Sequence, residues 1–227
     1  MRLIWGTRTR GGSQFLLKLT VAMLGRRTQP QSRINAARHE QLMPVRSPTL
    51  EDYVARGRPL DYFRDHNISA LKLEEPGADD WGRKIADAFP EAPWLGNRRS
   101  IEKIYRSHHN LSWGFSEEKL LKRARRTLVF YEALAAQGRL FVLDVEGPDQ
   151  FDLQKFSHFL KVGITAEARK IVEDWAPVND LANIRAAAGK PLERVFEPPA
   201  LDTLHRRYPW VPDMEARYNA LCQNLNI

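Results

Sequence analysis

The residues best equipped for chemistry lie near the start of the chain. There RLIWGTRTRGGSQFLL (residues 2–17) sets Gly6, Gly11, Gly12 and Ser13 around Arg8 and Arg10. An apolar run, a glycine loop and then a helix-periodic stretch is the layout of an anion cradle. Loop N–H groups and the positive end of a helix dipole converge on one point. Residues 2–5 read as a short buried strand that Gly6 breaks. From Ser13 onward Phe15, Leu16, Leu19, Val21, Ala22 and Leu24 are spaced to face a sheet. Measured against G-x-x-x-x-G-K-[ST], Gly6, Gly11 and Ser13 keep the frame, but Gly12 stands in the lysine slot. The loop therefore suits an anion better than a nucleoside triphosphate with magnesium, with Arg8 and Arg10 supplying the positive charge. A glycine turn that binds nothing has the same appearance, so this stretch alone leaves both readings open.

Two further stretches carry charge where strands should end. One is KLEEP (residues 72–76), with Lys72, Glu74 and Glu75; the other is NRRS (residues 97–100). They need a scaffold, and the apolar pattern supplies one. Strands are expected at residues 68–73, 92–96 and 139–145, the last reading RLFVLDV between glycines. Helices are expected at 59–66, 78–89, 99–109 and 117–137, and another opens at SPTLEDYVARG with Ser47 as cap and Pro48 in the first turn. Residues 25–46 read as a long basic loop, and from Asp152 the chain reads as helical to Asn224. Strands separated by helix-length segments imply right-handed crossovers and a parallel sheet covered on both faces. The expected fold is thus α/β: one domain over residues 1–227, three layers, about four to five parallel strands flanked by helices, and a helical C-terminal part. Ligands of such sheets sit beyond the carboxyl ends of the strands. All three charged stretches are expected there.

Composition narrows the partners. There are 35 Lys and Arg against 28 Asp and Glu, a formal excess of +7, which attracts anions without choosing among them. The single Cys222 forms no internal disulfide, and six histidines without a CxxC pair argue against a structural zinc site. Residues 15–24 are apolar but contain Lys18 and number about half of the roughly twenty needed for a membrane span. No span, and a cytoplasmic location, are the expectations.

The run FPEAPWLGNRRSIEKIYRSHH (residues 89–109) resembles the conserved segment of PAPS-dependent sulfotransferases, FP-D-A-x-(apolar)-R-D-P-R-D-(apolar)-S, without a gap. Arg99 falls on the family's first arginine and Ser107 on its serine. In that family the pair binds the 3′-phosphate of 3′-phosphoadenosine-5′-phosphosulfate (PAPS). The opening loop is similar to the family's P-K-S-G-T-T-W, which holds the 5′-phosphosulfate. Arg10 matches its lysine, Gly12 its glycine, Ser13 and Gln14 its threonines, and Phe15 its tryptophan; Arg8 and Gly11 complete the loop. Lys72-Leu73-Glu74 looks like the strand-end K-x-H of cytosolic members, with Glu74 in the place of the basic histidine. VLDVEGPDQFDLQKFSHFLKV resembles the family's strand, acidic turn and helix.

The resemblance implies a P-loop-like fold and sulfuryl transfer from PAPS to a hydroxyl or amine, leaving PAP. It casts Glu74, Arg10 and Lys72 as catalytic and requires no metal. The sequence departs from the family in three ways. The loop's proline-lysine start is absent, Gln14 is not a hydroxyl residue, and the C-terminal R-K-G has only a loose counterpart at residues 185–190. His39 is another candidate base, while His108 and His109, near the 3′-phosphate helix, read as surface or packing residues of that helix. A non-catalytic relative, a nucleic-acid binder using residues 26–46 and the KRARR helix face, and a P-loop kinase are the rival readings, nucleic acid being the weaker partner. The acceptor class and the oligomeric state are not written in the sequence.

Overall fold

The protein is represented by a computed structural model that describes residues 3–7, 12–24, 28–30, 49–66, 70–77, 80–109, 116–147, 151–174 and 201–225. Among these, five strands form one parallel sheet. They are β1 (Leu3–Thr7), β2 (Thr28–Pro30), β3 (Ala70–Glu74), β4 (Trp94–Arg98) and β5 (Leu140–Asp144), in the order β2-β3-β1-β4-β5. The fold is therefore α/β with a parallel sheet.

The crossovers reverse direction around β1. Helix α1 (Ser13–Leu24) carries the chain from β1 out to the edge strand β2. Helix α4 (Trp81–Ala88), after α2 (Leu50–Ala55) and α3 (Pro59–Asp65), carries it back from β3 past β1 to β4. Helices α5 (Ile101–His109) and α6 (Glu117–Ala136) then lead to β5. Right-handed crossovers in opposite directions place their helices on opposite faces, and the core shows both. Trp94 belongs to one apolar cluster and its neighbour Leu95 to the other. Successive side chains of a strand point to opposite faces. The Trp94 cluster gathers Leu50, Tyr62, Ile85, Leu128 and Leu134 with Leu71, Leu73 and Val142 of the sheet. The Leu95 cluster gathers Phe15, Leu16 and Leu19 with Leu143, and adds α7 (Leu153–Leu160) and α8 (Ala166–Glu173) through Phe156, Leu160 and Ala168. The last two helices, α9 (Leu201–Arg207) and α10 (Trp210–Asn224), close the chain, α10 joining the Trp94 cluster through Val211, Met214 and Tyr218.

Three expectations are corrected. Gly6 does not break β1: it pairs with Leu73, and Thr7 with Glu74, so the β3 ladder carries the strand through the glycine. Residues 25–46 are not all loop, because Thr28–Pro30 forms β2; a polar segment with a proline is tolerated at a sheet edge, where β2 pairs with β3 alone. The α2 cap is Thr49 rather than Ser47. The Asp52 amide donates to the Thr49 hydroxyl while Asp52 Oδ2 accepts from the Thr49 amide at 2.7 Å, a reciprocal capping box. Ser47, Pro48 and residues 31–46 lie outside the described residues.

Candidate functional site

Strands β3, β1 and β4 are consecutive neighbours in a parallel sheet, so their carboxyl ends lie side by side. Each ends in one of the three charged stretches read from the sequence. This edge is also where α1 departs to one face and the later crossovers to the other, the crevice in which open α/β sheets bind ligands.

At the β1 end, Gly12 has φ +85°, a left-handed conformation that disfavours any side chain, and its carbonyl accepts from the Leu16 amide at 3.1 Å. Gly12 thus turns the chain into α1, whose first turn contains no acidic residue to neutralise the helix dipole. Phe15 is buried and packs edge-to-face on Phe151, ring centroids 5.1 Å apart, anchoring the helix start behind the loop. Ser13 and Gln14 open α1. Arg8, Arg10 and Gly11 lie outside the described residues.

At the β3 end, Lys72 and Glu74 are strand residues paired with Trp5 and Thr7 of β1. Glu75 is buried, and its φ of +54° is a strained value for a non-glycine residue. The chain then wedges between two helices. A Cβ on Gly77 would meet the Arg126 carbonyl oxygen at 2.3 Å, and one on Gly82 the Pro76 carbonyl oxygen at 1.9 Å. Backbone-to-backbone approach this close needs glycine and fixes the turn that follows Glu74.

At the β4 end, Asn97 faces inward. Its amide donates to the Tyr131 hydroxyl and its side-chain oxygen accepts from that hydroxyl, both at 3.3 Å. Arg98 reaches Asp144 at 2.7 Å and Asn219 at 2.7 Å, tying β4 to β5 and α10. Burial raises the Asp144 carboxyl above its ordinary range, outweighing the opposing pull of Arg98. Glu146, two residues on, accepts from the Ser100 amide at the start of α5 and pairs with Lys103 at 2.8 Å. A carboxylate at that helix end is favoured by the dipole. Arg99 lines a cavity of about 250 Å³ together with Arg98, Ser100, Glu215, Tyr218 and Asn219. Ser107 is buried on α5 and does not line that cavity. His108 is also buried, whereas His39 lies outside the described residues.

Sequence reasoning missed Asp144, Glu146, Glu215 and Asn219. The first two had a signal, since Asp144 ends the clearest strand and Glu146 comes two residues later. Glu215 and Asn219 lie on a helix more than a hundred residues from Arg98 and gave none. Among the described residues no cluster of His, Cys, Asp or Glu is arranged to hold a metal ion, and no helix is long and apolar enough to cross a membrane.

No protein-family model matches this chain, and no curated protein matches it. Among solved structures the chain is similar to a gluconokinase from Sinorhizobium meliloti 1021, at 14% identity over 77% of this chain and 93% of that one, with a TM-score of 0.37. It is also similar to an unliganded sugar kinase from Janibacter sp. HTCC2649, at 13% identity over 81% and 97% of the two chains, again with a TM-score of 0.37. Likeness at that score carries no argument about this chain.

Proposed function

We propose that the chain is a sulfotransferase that binds PAPS across the carboxyl ends of β1 and β4. The observation that supports this is the adjacency of β3, β1 and β4, which makes the three charged stretches neighbours at one sheet edge. The P-loop-like cradle at residues 6–13 belongs to this reading, as does the resemblance of residues 89–109 to the family segment. The donor's anionic groups fit what the chain offers: a helix start with no acidic residue behind Gly12, and Arg99 lining a cavity beside Ser100.

In this reading Arg99 and Ser107 serve the 3′-phosphate. Arg8, Arg10, Gly11, Gly12, Ser13 and Gln14 serve the 5′-phosphosulfate, and Phe15 backs the loop. An acceptor hydroxyl or amine attacks sulfur in line, the bond from sulfur to the phosphate oxygen breaks, and that oxygen keeps the electron pair. The acceptor proton passes to Glu74 or a histidine. Arg10, Lys72 and the loop N–H groups stabilise the charge that develops, so the arginines do the neutralising without a metal. The acceptor is of a class still to be found, the protein is read as cytoplasmic and as one domain, and nucleic acid is not its partner. A screen of hydroxyl and amine acceptors with radiolabelled PAPS tests the reading. Transfer that is lost in Glu74→Gln and Arg10→Ala is the expected result.

One observation favours a second reading, a non-catalytic protein with the same scaffold. The start of α5 already holds the Glu146 carboxylate. Donor binding with no turnover on any acceptor would select this reading.

A further inference from the structure

A second cavity, larger than the one beside Arg99, begins at the turn after Glu74 and runs away from the strand ends. It is a trough of about 920 Å³ on the outer side of the helical layer, between α4 and α6. Its lining follows a helical stripe on α6 from Lys122 to Gln137, with Arg83, Ala86 and Asp87 on the α4 side. At about 1.5 Å per residue the stripe is roughly 22 Å long, enough for a helix of about 15 residues. The floor is apolar, formed by Val129, Phe130, Ala133 and Leu134 on α6. Val129 is 51% exposed, an unusual cost for a β-branched residue on a helix that is otherwise well buried on its inner face.

The walls are cationic. Arg83, Lys122, Arg125 and Arg126 stand along the trough against Asp80 and Asp87. A fifth cation, Arg139, is committed elsewhere, since its guanidinium donates to the carbonyls of Ala86 and Phe89. Lys122 pairs with Glu118 on the same helix, but both side chains are more than half exposed, and such a pair is cheaply exchanged for another. Arg125 lines the trough with its guanidinium 5.8 Å from the centre of the Trp210 ring.

From this we infer that the α4–α6 trough is a docking site for an acidic amphipathic helix of a partner protein. Its apolar stripe would cover Val129, Phe130 and Ala133 while its carboxylates reach Arg83, Lys122 and Arg125. Apolar anchors on a floor with charge complementarity at the rim are what helix-in-groove recognition requires. A nucleic acid would use the cations and the Phe130 ring but gain nothing from Val129, Ala133 and Leu134. Its Pro76–Gly77 end adjoins the turn after Glu74, but the trough shares no lining residue with the cavity beside Arg99.

The test uses the full chain and a labelled peptide of about 15 residues, with Leu at helical spacing and Glu elsewhere. Fluorescence anisotropy should show salt-sensitive binding, helix formation in the peptide by circular dichroism, and no competition by PAP. The variant Lys122→Glu/Arg125→Glu should weaken binding about tenfold or more. Val129→Glu, at an exposed position that leaves the fold intact, should do the same. Equal binding of a scrambled peptide of the same composition would overturn the inference, as would unchanged binding in both variants. Tighter binding of a single-stranded RNA that displaces the peptide would overturn it in favour of a nucleic-acid surface.

Discussion

Replacing Gly96 with alanine should strain the floor beneath the candidate site. A Cβ at Gly96 would lie 2.9 Å from Tyr131 Cζ, 3.1 Å from Cε2 and 3.2 Å from the hydroxyl. The ring has no exposed surface and its hydroxyl is bonded to both the amide and the side-chain oxygen of Asn97, so it cannot swing aside without breaking those bonds. Overpacking of this kind costs about 1–3 kcal/mol. Disturbing the buried Asn97 bonds adds about 1 kcal/mol or more. Alanine's lower chain entropy in the unfolded state returns about 0.5–1 kcal/mol. The net expectation is a loss of roughly 1–3.5 kcal/mol, which at about 2–4 °C per kcal/mol for a chain of this size lowers Tm by roughly 2–14 °C. Denaturant melts of Gly96→Ala, Tyr131→Leu and the double variant measure it. The smaller leucine relieves the clash, so the double variant should be more stable than the two single losses predict by about 1 kcal/mol. A neutral Gly96→Ala, or additivity within about 0.5 kcal/mol, would refute the packing argument.

Three other outcomes follow from the same structure. Glu146→Gln removes a carboxylate from the start of α5 and from Lys103, and should cost about 1 kcal/mol in a urea melt. If that carboxylate competes with the donor's phosphate, PAP should bind the variant more tightly, and unchanged affinity would place Glu146 outside the donor site. Arg139→Leu deprives the end of α4 of its guanidinium donors at the carbonyls of Ala86 and Phe89. It should destabilise by about 1–2 kcal/mol, whereas a neutral effect would mean water replaces the cap. Burial pushes the Cys222 thiol up to about 11, so its stabilising contribution is complete below the unfolded thiol's ordinary pKa. As pH rises from roughly 9 to 11 the unfolded chain ionises first and stability falls. Subtracting the Cys222→Ala stability curve from the wild-type curve should isolate that decline, and parallel curves would contradict it.

Much of this architecture could be read from apolar runs. The strands expected at 139–145 and 68–73 stood out because both faces of the sheet are covered, which leaves near-continuous apolar segments; they correspond to β5 and β3. β2 was hidden because an edge strand of three residues, TQP, needs no apolar side chain and tolerates proline. Gly6 misled because a strand's end is set by its neighbour's ladder, which no local pattern reports. At the site, the charged strand ends were visible as composition breaks after apolar runs. Their lateral order was not, since strand order depends on crossover direction. The contacts that organise the β4 end, Arg98 with Asp144 and Asn219, join residues 46 and 121 positions apart. The burial of Glu75 depends on how the turn through Gly77 packs on α6, not on its sequence neighbours, so no local pattern reported it.

The central claim is that donor phosphates bind across the ends of β1 and β4. Calorimetric titration of the full chain with PAP, beside Arg99→Ala and Arg10→Ala, tests it most directly. A charge-assisted bond from arginine to phosphate contributes about 1.5–3 kcal/mol. Wild type should therefore bind near micromolar, with each variant weaker by roughly ten- to a hundredfold. No binding by the wild type, or equal affinity in all three proteins, would contradict the account.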